Sequence, residues 1–445
     1  MTNFPAGFLW GAATSAYQIE GSPLADGAGP SNWHVFTHQP GTTPDGENGD
    51  IACDHYRRWR EDIGLMKELG LQAYRFSLAW ARILPEGTGA VNEAGLDFYE
   101  RLVDGLLEVG IQPTPTIFHW DMPAALDERG GWTNPDMVGW FADYAEVVIR
   151  RLGDRVSRWM TINEPWVVTD GGYVHGVHPP GRRDMHAAAL AAHHLLCAHG
   201  ETVRRFRALS DGQIGIAVNL EPKTAVDDDP ATLAAVARAH AYMNRQFLDP
   251  LFKGSYPAEL DAVFGGARPE FPAADFDLIR EPIDFLGLNY YTRSVNRADP
   301  ASIPAGAAPV RREGAEYTEM GWEVHPDSLT DVLVWIRDQY GEVPIYITEN
   351  GSAFNDPAPE ADGRVRDEAR CRYLRNHLAA MHEAIAQGVP VKGYFAWSLM
   401  DNFEWACGFA KRFGLLRVDP VTQDRSLKDS GKLYREVIAT NGGVL

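Results

Sequence analysis

Apolar residues along this chain recur with two alternating periods. Short runs rich in β-branched and aromatic residues give way to longer stretches where apolar side chains return every three or four positions. The first pattern fits a buried strand and the second an amphipathic helix. Residues 8–15, Phe-Leu-Trp-Gly-Ala-Ala-Thr-Ser, form the first predicted strand, followed by a Gly/Pro/Asp-rich loop through Gly49. Tyr56, Trp59, Ile63, Met66 and Leu69 then mark one face of a helix over 55–70, closed by Gly70. Strand is predicted at 73–80, helix at 94–109 with Gly110 as its stop, and strand at 112–119. The alternation continues with helix 135–152, strand 158–164, helix 186–209, strand 213–220, helix 231–248 and strand 283–291. Helix 326–340, strand 343–349, helix 366–387, strand 391–399 and helix 430–440 complete it.

Eight strands, each followed sooner or later by a helix, are what a (β/α)8 barrel requires. A chain of 445 residues exceeds the usual size of one core, but such barrels grow by inserting residues into their loops. The fold class predicted is therefore α/β, one TIM barrel spanning residues 1–445. Its long loops, after the first, fourth, sixth and seventh strands, would crowd the catalytic rim. A doubly wound sheet would carry a glycine-rich phosphate turn after its first strand. Here that position reads Ser-Ala-Tyr-Gln-Ile-Glu-Gly, which is not such a turn.

Charge and composition narrow the partners. With 41 Lys and Arg against 61 Asp and Glu, the net charge is −20, which argues against nucleic acid and anionic membranes as partners. No run of about 18 apolar residues is present to cross a bilayer. The start, Met-Thr-Asn-Phe-Pro-Ala-Gly-Phe, lacks a signal peptide's basic and apolar regions. Cys53, Cys197, Cys371 and Cys407 are scattered without Cys-x-x-Cys spacing, the pattern of free thiols in a reducing compartment. A cytoplasmic location is the expectation. No pattern specifies an oligomeric state.

Two predicted strands end alike. Residues 345–351 read Ile-Tyr-Ile-Thr-Glu-Asn-Gly and 158–165 read Arg-Trp-Met-Thr-Ile-Asn-Glu-Pro. Each delivers a carboxylate, Glu349 or Glu164, where the apolar run stops, and in parallel barrels that end is the reactive one. A carboxylate pair is the minimum equipment for cleaving a glycosidic bond. The other strand ends carry Gln18, Arg75, His119 with Trp120, Asn163, Asn289 with Tyr291, and Trp397 followed by Glu404 and Trp405. Amides, an imidazole and a further carboxylate suit hydroxyls that both donate and accept, and indoles suit the apolar face of a pyranose.

These blocks resemble family 1 of the glycoside hydrolases, the β-glucosidases and their relatives, from Phe4 to about Val437. The likeness is carried by Phe8 to Gly21, by Thr161-Ile162-Asn163-Glu164-Pro165 and by Ile347-Thr348-Glu349-Asn350-Gly351. Asn289-Tyr290-Tyr291 and the block from Trp397 to Trp405 add to it. The resemblance implies a retaining, exo-acting β-glycosidase, a β-glucosidase first of all, with a broader β-galactosidase or β-fucosidase member as the alternative. Glu349 would be the nucleophile, supported by Arg75 and Tyr291, and Glu164 the acid/base, with their carboxyls about 5–5.5 Å apart. Asn163 would hold the sugar 2-hydroxyl, and Gln18, His119 and Glu404 the 3-, 4- and 6-hydroxyls. Trp120, Asn289, Tyr291, Trp322, Trp397, Trp405 and Phe413 would complete substrate binding.

Departures from the family pattern are Val167, Ser352, Cys407 and Ala81. None removes a reactive group, and Cys407 would alter the entrance. A 6-phosphoglycosidase is disfavoured because Glu404 would repel a dianion. A silent sugar-binding barrel would normally have lost one of the two glutamates. The histidines, His193-His194 included, show no His-Glu-x-x-His or other metal spacing, so no catalytic metal and no cofactor are expected. The expected partner is a small β-glycoside or short oligosaccharide.

Overall fold

The computed structural model describes residues 3–445. Eight parallel strands close into a barrel in chain order: β1 Leu9–Ala13, β2 Ala73–Ser77, β3 Gln112–Phe118, β4 Arg158–Asn163, β5 Gln213–Asn219, β6 Phe285–Asn289, β7 Ile345–Asn350 and β8 Val391–Trp397. Closure is made by β1, which pairs with both β2 and β8. Every strand therefore has a neighbour on both sides, so no edge is left.

The strands are apolar on both faces because both are covered. Outward side chains such as Trp10, Tyr74, Ile117 and Ile162 pack under the helices. Inward ones, among them Leu9, Met160, Phe285, Tyr346 and Phe395, fill the barrel. Small residues make room for the rings. A Cβ on Gly11 would lie 2.5 Å from the Phe395 ring, so no larger residue fits in β1 beside it.

The outer layer matches the helical periodicities. Helix His55–Leu69 ends on Gly70 in the left-handed conformation (φ 75°), as a C-terminal glycine should. Glu93–Glu108, Met137–Leu152, Asp327–Tyr340, Glu368–Ala386 and Asp429–Thr440 fall within a few residues of expectation. Helix Met185–Leu209 starts where the Asp184 carboxylate accepts from the backbone N–H of His186 and Ala187. The fifth helix is interrupted, running Pro230–His240, then a wider π-helical turn at Ala241–Arg245, then Gln246–Lys253. Among the described residues no helix is long and apolar enough to cross a membrane.

Some expectations are corrected. Trp80 belongs to a helical turn, Trp80–Ile83, not to β2. Arg75 lies in the middle of β2, not at its end, and is fully buried. The loop after β8, residues 398–428, is also long and contains the hairpin Leu416–Val418 with Arg425–Leu427. A small sheet of Lys223–Ala225, Ser294–Ala298 and Ala307–Pro309 lies beyond β5 and β6. Such short strands carry too few positions to show a period.

Candidate active site

Glu164 and Glu349 stand where pairing register breaks. Between Met160 and Asn163, β4 advances three residues while β5 advances from Gly215 to Ala217. Along β7 the register with β6 slips between Ile347 and Glu349. Such slips re-aim side chains. Glu164, just past β4, also has a left-handed backbone (φ 46°, ψ 65°) and is pinned by its N–H donating to the Ala217 carbonyl at 2.8 Å. Trp120 (φ 78°) and Trp405 (φ 48°) share the left-handed region. Conformations of that kind cost about 1–3 kcal/mol each and persist only where surroundings over-determine them.

The two carboxylates have different partners. Glu349 Oε1 accepts from Arg75 Nη1 at 2.5 Å and Oε2 from the Tyr291 hydroxyl at 2.6 Å. Glu164 Oε1 accepts from the neutral amide of Asn289 at 2.8 Å. That amide is oriented by Thr348, whose hydroxyl donates to Asn289 Oδ1 at 2.6 Å. Asn163 Oδ1 receives both Arg75 Nη2 (2.6 Å) and Asn289 Nδ2 (3.0 Å). A chain of donors and acceptors therefore runs Glu349–Arg75–Asn163–Asn289–Glu164.

The electrostatics follow from these contacts. Burial and then the charge of Glu349 push Glu164 well above the usual carboxylate range. Burial also raises Glu349, but Arg75 and Tyr291 pull it back. A proton shared by the pair therefore resides on Glu164, leaving Glu349 as the anion. Burial and the Glu349 charge keep Tyr291 protonated, so its hydroxyl donates.

His119 follows by elimination. The Asn163 oxygen is occupied, so its Nδ2 faces His119 Nε2 at 3.0 Å, and that nitrogen must accept. The imidazole proton then sits on Nδ1, which has no protein partner. Burial and the Arg75 charge hold the ring neutral, well below its ordinary pKa. Gln18 donates to Asn402 Oδ1 and the Phe403 carbonyl at 3.0 Å and to Glu404 Oε2 at 3.2 Å. Burial and Glu349 push Glu404 up to about 8, against the pull of Gln18.

A cavity of about 320 Å³ opens over the glutamates. On one side Trp120 and Trp405 lie 4.7 Å apart, with Trp33 behind Trp405 at 4.5 Å. Across from them Tyr291 meets Trp322 at 5.0 Å and Phe413 at 6.1 Å. His119, Trp120, Glu164, Asn289, Tyr291, Trp322, Glu349, Trp397, Glu404, Trp405 and Phe413 line it. Gln18, Arg75 and Asn163, also singled out from the sequence, lie behind that wall and orient Glu404, Glu349 and Asn289.

Several wall residues escaped sequence reasoning. Trp166 stands two residues past Glu164, a position whose aromatic character was readable. Asn219, the last residue of β5, lines the cavity with Oδ1 unpartnered. At the mouth Lys223 donates to Glu221 at 2.5 Å. Cys407 and Val167, two of the departures noted above, line the same cavity.

The family model described as "Glycosyl hydrolase family 1" matches residues 1–443. Beta-glucosidase A of Thermotoga maritima is 50% identical over 447 residues, covering 99% of this chain and 98% of that one. A bifunctional beta-D-glucosidase/beta-D-fucosidase of Bifidobacterium breve is 44% identical over 456 residues, covering 98% of each. The Thermotoga maritima β-glucosidase solved in complex with deoxynojirimycin superposes with a TM-score of 0.97 at 49% identity, covering 99% of this chain and 100% of that one.

Proposed function

Because the chain belongs to glycosyl hydrolase family 1, we propose that Glu349 and Glu164 hydrolyse terminal, non-reducing β-D-glucosyl residues with retention. The observation that carries the assignment of roles is the unequal partnering of two buried carboxylates on one cavity. Glu349 has the cation and the phenol, and Glu164 has only a neutral amide.

In the first half-reaction a Glu349 oxygen attacks the anomeric carbon from the face opposite the leaving group. Glu164 gives its proton to the glycosidic oxygen as the C–O bond breaks, and the aglycone departs as an alcohol. The product is an α-linked glycosyl ester on Glu349. Esterification removes the Glu349 charge, the second cause of the raised Glu164 pKa, so Glu164 becomes a stronger acid as its role changes to base. In the second half it takes a proton from water, the water oxygen bonds to the anomeric carbon, and the ester bond breaks. The β-hemiacetal leaves and Glu349 is an anion again. Metal chemistry has no part in this scheme.

Substrate contacts follow the wall. Neutral His119 lines the sugar's side of the cavity, and Glu404, held by Gln18, takes a pair of neighbouring hydroxyls. The indoles of Trp397 and Trp405 carry the sugar's apolar face, while Trp322 and Trp166 border the aglycone side. We propose short β-linked glucosides of the kind β-glucan breakdown supplies, with fucosides as a side activity. One barrel, 1–445, is the working unit. All four cysteines are free, which fits a reducing compartment such as the cytoplasm.

The test is Glu349→Gly with added azide on an activated aryl β-glucoside. Turnover is lost without azide and returns with it, giving the inverted α-glucosyl azide. A β-azide from a folded variant overturns the nucleophile assignment.

A further inference from the structure

Helix Met185–Leu209 and helix Ala273–Ile279 bring together a second set of reactive side chains, none of which lines the cavity above the glutamates. His193 and Cys197 are four residues apart, one turn along one face. Asp275 faces them from the neighbouring helix. The imidazole nitrogen, the thiol sulfur and a carboxylate oxygen all lie within 4.8 Å of one another. His193 Nε2 is 3.0 Å from Asp275 Oδ2, and its Nδ1 is 3.0 Å from the Tyr256 hydroxyl. The ring stacks on Phe271 with centroids 3.6 Å apart and an interplanar angle of 10°.

A hydrogen bond between His193 and Asp275 accounts for those two groups alone. It does not account for a free, buried thiol converging on the same point. We propose that His193, Cys197 and Asp275 form a binding site for a thiophilic divalent cation of the zinc type. One nitrogen, one sulfur and one oxygen is a zinc-like donor set, with a fourth position open to water. The bond from His193 Nδ1 to Tyr256 fixes the ring so that Nε2 faces the metal, as outer-shell partners of ligating histidines do. Asp275, with 33% of its side chain exposed, gives the way in.

Binding replaces the thiol proton, which goes to solvent, by a metal–sulfur bond. The ion would tie helix Ala273–Ile279 to helix Met185–Leu209. Its effect is on stability, not on the glycosidase step.

A second group, His34, His38 and Asp50, lies near the surface and contains no sulfur, so the readout must report thiolate. The full chain, stripped with EDTA, is titrated with Co²⁺ and followed by absorption. A sulfur-to-cobalt charge-transfer band is expected, saturating at one equivalent and displaced by Zn²⁺. It disappears in Cys197→Ala and persists in Cys371→Ala and Cys407→Ala. Asp275→Asn, which leaves the thiol in place, weakens cobalt binding at least about tenfold. Saturating Zn²⁺ raises the melting temperature of the wild type by about 1–3 °C and that of Cys197→Ala by less. Absence of the band in folded wild type at saturating Co²⁺, or its survival in Cys197→Ala, overturns the proposal.

Discussion

Tyr291→Phe isolates one support of Glu349, the proposed nucleophile, without disturbing the other. The phenol donates to Glu349 Oε2 at 2.6 Å while Arg75 holds Oε1 at 2.5 Å. A hydrogen bond to a charged group contributes about 1.5–3 kcal/mol net, which is about one to two pKa units on the acceptor. The Tyr291 bond is among the causes that lower the Glu349 pKa, so its removal raises that pKa. Glu349 must be ionised to attack, and the acidic limb of kcat/KM therefore moves to higher pH by roughly that amount. Arg75 stays, so the carboxylate is still populated near neutrality. A more basic carboxylate attacks better but leaves worse, so kcat falls about 10–100-fold while kcat/KM falls less. The assay is a pH series of steady-state kinetics on p-nitrophenyl β-glucoside, with the pre-steady-state burst reporting the slowed second step. An unmoved acidic limb with kcat within about twofold of wild type refutes the reasoning. So does a shift confined to the basic limb, which belongs to Glu164.

Glu164→Ala slows glucosides with poor leaving groups far more than activated aryl ones, and azide restores the second step; equal losses across leaving groups would remove Glu164 as the acid. Glu404→Gln tests the proton on Glu404. With a folded pKa of about 8 against an ordinary carboxylate of about 4.3, the native state holds a proton the unfolded chain has lost between those values. Wild-type stability therefore declines as pH rises from about 4.3 to about 8. Glutamine lacks this term, so the variant's melting temperature should match the wild type near pH 4 and exceed it near pH 8. Water in the cavity screens this half-buried group and holds the gain to about 1–2 kcal/mol; a constant difference across that range would contradict it. Gly351→Ala places a Cβ 1.7 Å from the Trp397 carbonyl oxygen, so it should abolish activity and lower the melting temperature by several degrees. A variant with wild-type kinetics would show that the rim can yield there.

The barrel is legible because continuous apolar runs, buried on both faces, alternate with stretches of three-and-four spacing, and some helices carry their own stop, as at Gly70. The rim was legible only in part. Glu164 and Glu349 could be found because a charge ending an apolar run is costly without a purpose. Arg75 was misplaced by position: it is buried mid-strand inside the barrel, and only its partners on β4 and β7 explain a cation there. Asn219 is not legible in the sequence, because a lone asparagine ending a strand carries no local signal. Its meaning comes from β6, where it pairs in register with Asn289. The 398–428 loop is held by contacts far apart in sequence. Lys428 donates to Asp356 and Asp401 at 2.6 Å, and no period in either segment announces that.

Two chemically identical side chains acquire opposite roles from where the barrel lets a single cation reach. Arg75 rises through the interior from the middle of β2 and is engaged there at every nitrogen: Nη1 by Glu349 and the Thr348 carbonyl, Nη2 by Asn163, and Nε by Thr116 and Met160. It touches Glu164 only through two amides, Asn163 and Asn289. A buried carboxylate beside a cation keeps its charge, whereas one beside an amide keeps its proton. The register slip on β7 sets Glu349 against Arg75, and the left-handed turn after β4 carries Glu164 beyond it. The proposed acid and the proposed nucleophile are thus distinguished by backbone geometry before any substrate binds, and exchanging the two roles would require moving the strands as well as the side chains.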